Sequence, residues 1–259
     1  MAGRLAERVA IVTGAGSGIG RATAMKMASE GAFVIVNDIN PGTAEATVSD
    51  IRAAGGSAEA RPADVRHSSE VDALVDDTVA RHGRLDVLHN NAGGGGTVSF
   101  LDLSDEAYLA DIALNQHSVF FGIRAALRVM VPRGRGSIIS TASAAGLGAV
   151  PRLSAYGSAK AAVIMLTRCA AVEYASTGVR VNAIAPGSMG TPAFAMWLDT
   201  KPVGLAGYEA QIPQNRLGRP DEIADAAAWL ASDESSYVNG AVIPVDGGCW
   251  AKLASPTFE

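Results

Sequence analysis

Seven short runs with strand character recur along the chain, and helix-length patterns separate most of them. The runs are Val9–Val12, Phe33–Val36, Ala58–Arg61, Leu85–His89, Ser137–Ser140, Val179–Ile184 and Ala241–Val245. Most are apolar with little polar alternation, so the strands they predict have no face for water. Between them lie helical stretches at Arg21–Glu30, Thr43–Ala54, Ser69–His82, Asp105 to about Met130, Ala155–Tyr174 and Glu222–Ala231. In Ser69–His82, Val71, Leu74, Val75 and Val79 recur at helical spacing. Short buried strands alternating with helices predict an α/β fold: a parallel sheet, doubly wound, with helices on both faces. At 259 residues the chain can bury that core without disulfides. No linker or repeat divides it, so residues 1–259 read as a single domain.

One stretch breaks the pattern. Gly187 to Arg219 holds prolines at 192, 202 and 213, together with the bulky Met196, Trp197, Leu198 and Tyr208. A connection that long in a compact domain is usually a lid or binding loop. A substrate lid is predicted at about 188–216.

Composition narrows the function. Lys+Arg is 21 against Asp+Glu 26, a net charge of −5, which is the wrong sign for a nucleic-acid binder. Two cysteines, Cys169 and Cys249, form no disulfide framework and suit a reducing cytoplasm. Cys169 is expected in the core. Charges at Arg4, Glu7 and Arg8, with no apolar run before them, argue against a signal peptide. No apolar run reaches about 18 residues, so no membrane span is expected. The histidines at 67, 82, 89 and 117 lack metal-ligand spacing; they are expected to be structural or surface groups, and no metal is predicted.

After the first strand comes Thr13-Gly14-Ala15-Gly16-Ser17-Gly18-Ile19-Gly20, opening the first helix. Ile19 occupies the third glycine of G-x-G-x-x-G, so the spacing is G-x-x-x-G-x-G through Gly14, Gly18 and Gly20. The physics is shared. Missing side chains allow a tight turn and a close approach to a pyrophosphate at the helix N-terminus. Asp38 follows Gly20 by 18 residues and suits a carboxylate that accepts from an adenosine ribose. A 2′-phosphate beside it would be repelled by roughly 2–6 kcal/mol, at an effective dielectric of about 20 to 80. Ser17, Ile39 and Asn40 offer no offsetting cation, so NAD is favoured over NADP. Asp64 is placed near the adenine, after the third strand.

Tyr156 and Lys160 stand at i and i+4, on one side of a helix that is otherwise apolar from Ala161 to Leu166. Working near pH 7 requires a phenol shifted by about 3 units, or about 4 kcal/mol. A positive charge about 5 Å away supplies roughly 3 kcal/mol at an effective dielectric near 20. A Tyr/Lys pair is thus an adequate acid–base device, and an oxidised nicotinamide would add to it.

Taken together these residues resemble the short-chain dehydrogenase/reductase family across nearly the whole chain. The resemblance rests on Thr13–Gly20, Asp38, Asp64-Val65, Asn90-Asn91-Ala92-Gly93, Asn115, Ser143, Tyr156 with Lys160, and Pro186-Gly187. Arg219-Pro220-Asp221-Glu222 and Val245-Asp246-Gly247-Gly248 also match. It implies a single Rossmann-type domain, a homotetramer, and catalytic residues Asn115, Ser143, Tyr156 and Lys160. By that resemblance Tyr156 is the general acid/base, Ser143 orients the substrate oxygen, Lys160 holds the nicotinamide ribose, and Asn115 anchors a water chain. The cofactor would meet Gly14, Ser17, Gly18, Ile19, Asp38, Asp64, Val65, Asn91, Ala92, Gly93, Tyr156, Lys160, Pro186, Gly187 and Thr191. The substrate would meet Ser143, Tyr156, Gly94, Leu147, Met196 and Trp197.

Two departures stand out. Gly93–Gly96 is unusually rich in glycine, which suggests a roomy or mobile pocket edge. Thr191 lies further after Gly187 than the family's usual spacing. The tail from Cys249 to Glu259 extends past the last strand, where it could reach a neighbouring subunit.

The expected activity is NAD-dependent interconversion of a secondary alcohol and a ketone, on a hydrophobic cyclic or steroid-like molecule. A 3-oxoacyl-carrier-protein reductase is the alternative, with Arg124, Arg128, Arg133 and Arg135 as a docking patch. A non-catalytic NAD-binding sensor or scaffold is a lesser alternative. An enoyl reductase would space its tyrosine and lysine further apart than four, and an extended sugar epimerase would need a longer chain.

Overall fold

The computed structural model describes residues 3–252. Seven strands form its centre: Val9–Val12 (β1), Phe33–Val36 (β2), Ser57–Ala60 (β3), Val87–Asn90 (β4), Gly136–Thr141 (β5), Val179–Pro186 (β6) and Val242–Val245 (β7). They pair in the order β3-β2-β1-β4-β5-β6-β7, all parallel. The order turns back between β1 and β4. In a doubly wound sheet a crevice opens there, above the carboxyl ends of the strands.

Both faces of the sheet are covered. Gly18–Ser29 (α1), Pro41–Ala53 (α2) and Pro220–Ala231 (α10) bury Met27, Val48, Ile51, Ile223 and Leu230 on one side. Ser68–His82 (α3), Ser118–Met130 (α5) and Ser154–Glu173 (α7) bury Leu74, Val119, Ile123 and Val163 on the other. This sandwiching is why the strands carry so little polar alternation. Helix ends follow local chemistry. Asn40 caps α2 by accepting from Gly42 N at 2.9 Å, and Gly83 ends α3 with φ +71°.

The structure departs from the sequence expectations in three places. The long helix predicted from Asp105 is divided into Asp105–Ile112 (α4), a π turn at Ala113–His117, and α5. The Asn115 amide, which donates to Asp111 O at 3.0 Å, sits in that turn. The lid forms two short helices, Pro192–Leu198 (α8) and Gly204–Glu209 (α9), and its base is closed by a Met189–Gly218 bridge. Cys169 is exposed rather than in the core, because it lies on the side of α7 turned away from the sheet. A short helix at Ala144–Leu147 (α6) follows β5. No helix of the described residues is long and apolar enough to cross a membrane. From residue 253 onward the tail lies outside the described residues.

Candidate active site

The turn after β1 is shaped by its glycines. Gly14 and Gly18 hold φ at +61° and +51°. A Cβ on Gly20 would lie 2.1 Å from Gly14 O, so only glycine lets α1 start against the turn. Asp38 ties this loop to β2. Its Oδ2 accepts from Gly16 N at 2.9 Å and its Oδ1 from Asn40 N at 3.0 Å.

A cleft of about 570 Å³ runs from here to α7. Of the predicted residues it is lined by Gly14, Ser17, Gly18, Ile19, Asp38, Asp64, Val65, Asn91, Ala92, Gly93, Gly94, Tyr156, Lys160 and Thr191. They come from the ends of β1, β2, β3, β4 and β6 and from α7. A dinucleotide fits this shape on two counts. The glycine turn leaves backbone at the wall, and Asn37, buried on the same wall, has an unpartnered Oδ1.

Thr191 caps α8, accepting from Phe194 N at 3.2 Å, and its methyl is 3.3 Å from where a Gly18 Cβ would stand. Pro186 and Gly187 lie at the end of β6, below the lining; Gly187 packs on Asp246 instead.

The far end holds the acid–base group. Tyr156 lies on the first turn of α7, with Lys160 one turn on, its Nζ 5.6 Å from the phenol ring centroid. Lys160 is buried and donates to Thr141 O at 2.8 Å. Burial holds its pKa down at about 8. Burial pushes the Tyr156 phenol up, hydrogen bonding to Ser143 opposes this, and the Asp111 carboxylate adds to it. The net direction is therefore up, against the lowering expected from Lys160, and desolvation of the buried phenolate is its largest cause. Ser143 also caps α6, its oxygen accepting from Ala145 N at 3.1 Å. Capping does not keep it from the phenol, because a hydroxyl that accepts on one side can still donate on the other.

Asn115 is buried, and its side chain clamps the glycine run. Oδ1 accepts from Gly94 N at 3.0 Å and Nδ2 donates to Gly94 O at 2.8 Å. Both ends of the amide are therefore engaged by the chain. A Cβ on Gly95 would meet the Tyr156 ring at 2.9 Å and one on Gly93 the Asn115 amide oxygen at 2.8 Å, so these two glycines are bare because they pass against the site, whereas Gly94 and Gly96 have open space there.

The predicted substrate contacts divide. Ser143, Tyr156 and Gly94 lie together at this end. Met196 points to solvent at 72% exposure. Trp197 turns into the lid, 5.3 Å from Phe194 and 5.8 Å from Tyr208 between ring centroids. Leu147 lines a separate surface groove with Phe100 and Val150. None of these three lines the cleft.

Other residues in and around the cleft are not marked as such by the sequence. The cleft is also lined by Arg66, but its guanidinium is bidentate on Asp64, Nε donating to Oδ1 at 3.0 Å and Nη2 to Oδ2 at 2.6 Å. Asp111, which acts on Tyr156, is only four residues before Asn115, and nothing else in the sequence marks it. Thr141 and His89 lie beneath Lys160. His117 is exposed beside Phe121. Among the described residues, no cluster of His, Cys, Asp or Glu could hold a metal.

A cofactor-sized cleft at the switch point of a parallel sheet, with a Tyr/Lys pair at one end and an acid at the other, defines a nicotinamide-dependent oxidoreductase. Comparison with known proteins agrees. A family model described as Enoyl-(Acyl carrier protein) reductase matches residues 14–249. The chain is 40% identical over 248 residues to 2,5-dichloro-2,5-cyclohexadiene-1,4-diol dehydrogenase of Sphingobium indicum, covering 96% of this chain and 98% of that one. It is 38% identical over 253 residues to cyclohexanol dehydrogenase of an Acinetobacter species, covering 97% and 98%. A solved 7α-hydroxysteroid dehydrogenase in complex with NADH and 7-oxo glycochenodeoxycholic acid superposes with a TM-score of 0.89 at 36% identity, covering 95% of each chain. The chain belongs to the short-chain dehydrogenase/reductase family.

Proposed function

We propose that the protein is an NAD-dependent dehydrogenase that interconverts a secondary alcohol and a ketone on a hydrophobic cyclic substrate. The convergence of Tyr156, Ser143 and Lys160 at the end of the cleft opposite Asp38 carries this reading. The names of the two relatives, both dehydrogenases of cyclohexane-type alcohols, support the substrate class.

The nicotinamide, when bound, supplies the acceptor or donor of hydride. Everything else falls to the chain. Tyr156 takes the alcohol proton in oxidation and returns it in reduction. Ser143 donates to the substrate oxygen, fixing it beside the phenol. Lys160 presents a positive charge from the Thr141 carbonyl and would hold the nicotinamide ribose. Asn115 positions Gly94 and so the edge of the substrate space. Thr191 closes the cleft near the glycine turn. Met196 and Trp197 would reach substrate only after the lid rearranges, and Leu147, on α6, only through a shift of that helix.

Asp38 supports NAD over NADP. Both oxygens already accept backbone N–H groups beside the turn, which holds the carboxylate where a 2′-phosphate would sit. Asp64 occupies Arg66, the nearby cation. Titrating tryptophan fluorescence with NADH and NADPH in matched salt tests this: NADH is expected to bind at least about tenfold tighter. Equal or tighter NADPH binding overturns it.

The acyl-carrier alternative is less favoured, because most of its docking arginines have acidic partners. Arg124 and Arg128 bridge to Asp72, Arg128 also to Asp76, Arg135 to Asp233, and Arg133 donates to Gly83 O. An enoyl reductase is disfavoured by the single turn between Tyr156 and Lys160.

A homotetramer is part of the proposal. Leu109, Phe120, Met165 and Val172 are exposed on α4, α5 and α7, where a second copy would cover them. A light-scattering mass near 26.4 kDa would refute it.

A further inference from the structure

His89 is fully buried on β4, and no step above uses it. Its Nε2 lies 2.9 Å from Thr141 Oγ1. The same hydroxyl is 3.2 Å from Asn91 Oδ1. The orientation of Asn91 is set from its other side, where Nδ2 donates to Thr13 O at 3.0 Å and to Gly14 O at 3.4 Å. An amide oxygen can only accept, so Thr141 must give its one proton to Asn91. Thr141 can then only accept from His89. This assigns His89 the Nε2–H tautomer and leaves Nδ1 a bare acceptor, and that atom indeed has no partner.

Every proton in the chain now has a direction. His89 donates to Thr141, Thr141 to Asn91, and Asn91 to the carbonyls of the glycine turn. Thr141 is also the residue whose carbonyl receives Lys160. One threonine thus joins the two ends of the cleft, and His89 fixes that threonine's hydroxyl.

We propose that His89 is a positioning residue for the cofactor site: a neutral donor that locks Thr141 and, through Asn91, the glycine turn. Burial, then the charge of Lys160, holds the imidazole pKa down at about 3. The donor chain therefore stays intact wherever the enzyme is folded and working. An aliphatic residue would suit the surrounding Val87 and Ile139 better, since it would bury no orphaned nitrogen. The histidine makes physical sense through the proton on Nε2.

The inference rests on the reading of the cleft as a dinucleotide site, and the test separates the two. NADH titration of the unaltered protein comes first; failure there overturns the cofactor reading itself. Next, His89→Leu, His89→Gln, Thr141→Val and the double variant His89→Leu/Thr141→Val are compared for NAD+ KM, kcat and thermal unfolding. His89→Leu is expected to raise the KM for NAD+ about tenfold, as one lost hydrogen bond allows, with kcat changed less than about threefold. His89→Gln, whose side-chain amide can donate from a similar position, is expected to restore the KM. Thr141→Val should reproduce the defect, and the double variant should be no worse than the worse single one. An unchanged KM in folded His89→Leu, or multiplicative effects in the double variant, overturns the proposal. If His89→Leu does not fold, an unchanged KM in Thr141→Val overturns it instead. A limb in the pH profile of KM near pH 6 that disappears in His89→Gln would also overturn it, because the imidazole would then be titrating.

Discussion

The glycine-turn end of the cleft and the lid beside it are built differently. The glycine-turn end is made of backbone: strand termini, two glycines at positive φ, and side chains such as Asp38 and Asn91 that hold main-chain groups. The lid is made of side chains on short helices that pack mainly on one another, as Phe194, Trp197 and Tyr208 do. The first is rigid because the sheet beneath it is buried on both faces. The second is joined to the sheet through Met189 and Gly218. The comparison suggests that cofactor binding is a property of the fold, whereas substrate choice rests on a small, separable cluster.

The largest effect should come from the chemistry itself. Tyr156→Phe is expected to lower kcat for oxidation of cyclohexanol by about 10²–10⁴-fold, with NADH affinity within about twofold. A large loss of NADH binding instead would mean that the phenol holds the cofactor end together.

Lys160 makes the opposite trade. Its folded pKa, about 8, lies below the ordinary 10.5, so between those values the unfolded chain binds more protons. The penalty is complete below about pH 8 and fades as pH rises towards about 10.5. It is on the order of 3 kcal/mol. Lys160→Met should therefore be inactive yet unfold at a higher temperature at pH 7, with that advantage shrinking by pH 10. Calorimetry at both pH values checks this. A destabilised variant would show that the bond to Thr141 outweighs desolvation.

A smaller effect is expected at the turn. Gly20→Ala forces a methyl into Gly14 O and should cost about 1–3 kcal/mol of stability. NADH affinity should fall more than tenfold as the turn shifts, read by the same fluorescence titration. If affinity holds, the turn is less rigid than the comparison requires.

The smallest effects belong to the lid. Trp197→Ala removes the centre of the aromatic cluster and should raise the KM for cyclohexanol several-fold, while leaving the KM for NAD+ unaltered. Met196→Ala, already in solvent, should change kcat/KM less than about twofold. A strong Met196 effect would mean that the lid closes on substrate through a rearrangement larger than a rigid shift of α8.

Legibility followed the same division. The strands, Asp38, the glycine turn and the Tyr156/Lys160 pair could be read because spacing and residue type carry their physics directly. The π turn at Asn115 could not, since the side chain it carries inward is held by Gly94, a partner distant in sequence. Nor could the direction in which Trp197 turns: an aromatic residue in a lid packs on substrate or on its neighbours with similar area buried, and only the neighbours present decide. Arg66 could not be read as a cation near Asp38, because only the pairing of β2 with β3 brings the two following loops together. The four arginines expected as a docking patch form bonds to Asp72, Asp76, Asp233 and Gly83 that no local pattern shows.

By itself, then, the amino-acid order determined the alternation of buried strands and helices, the place of the dinucleotide turn, and which residues could share a helix face with Tyr156. These depend on short-range periodicity and on backbone freedom, both written locally. Only the tertiary structure decided which ionisable groups are desolvated, which amide holds which loop, and which proton His89 keeps. Those properties depend on what surrounds a group in space, and the residues that do so here come from β1, β4, β5 and α7, far apart along the chain.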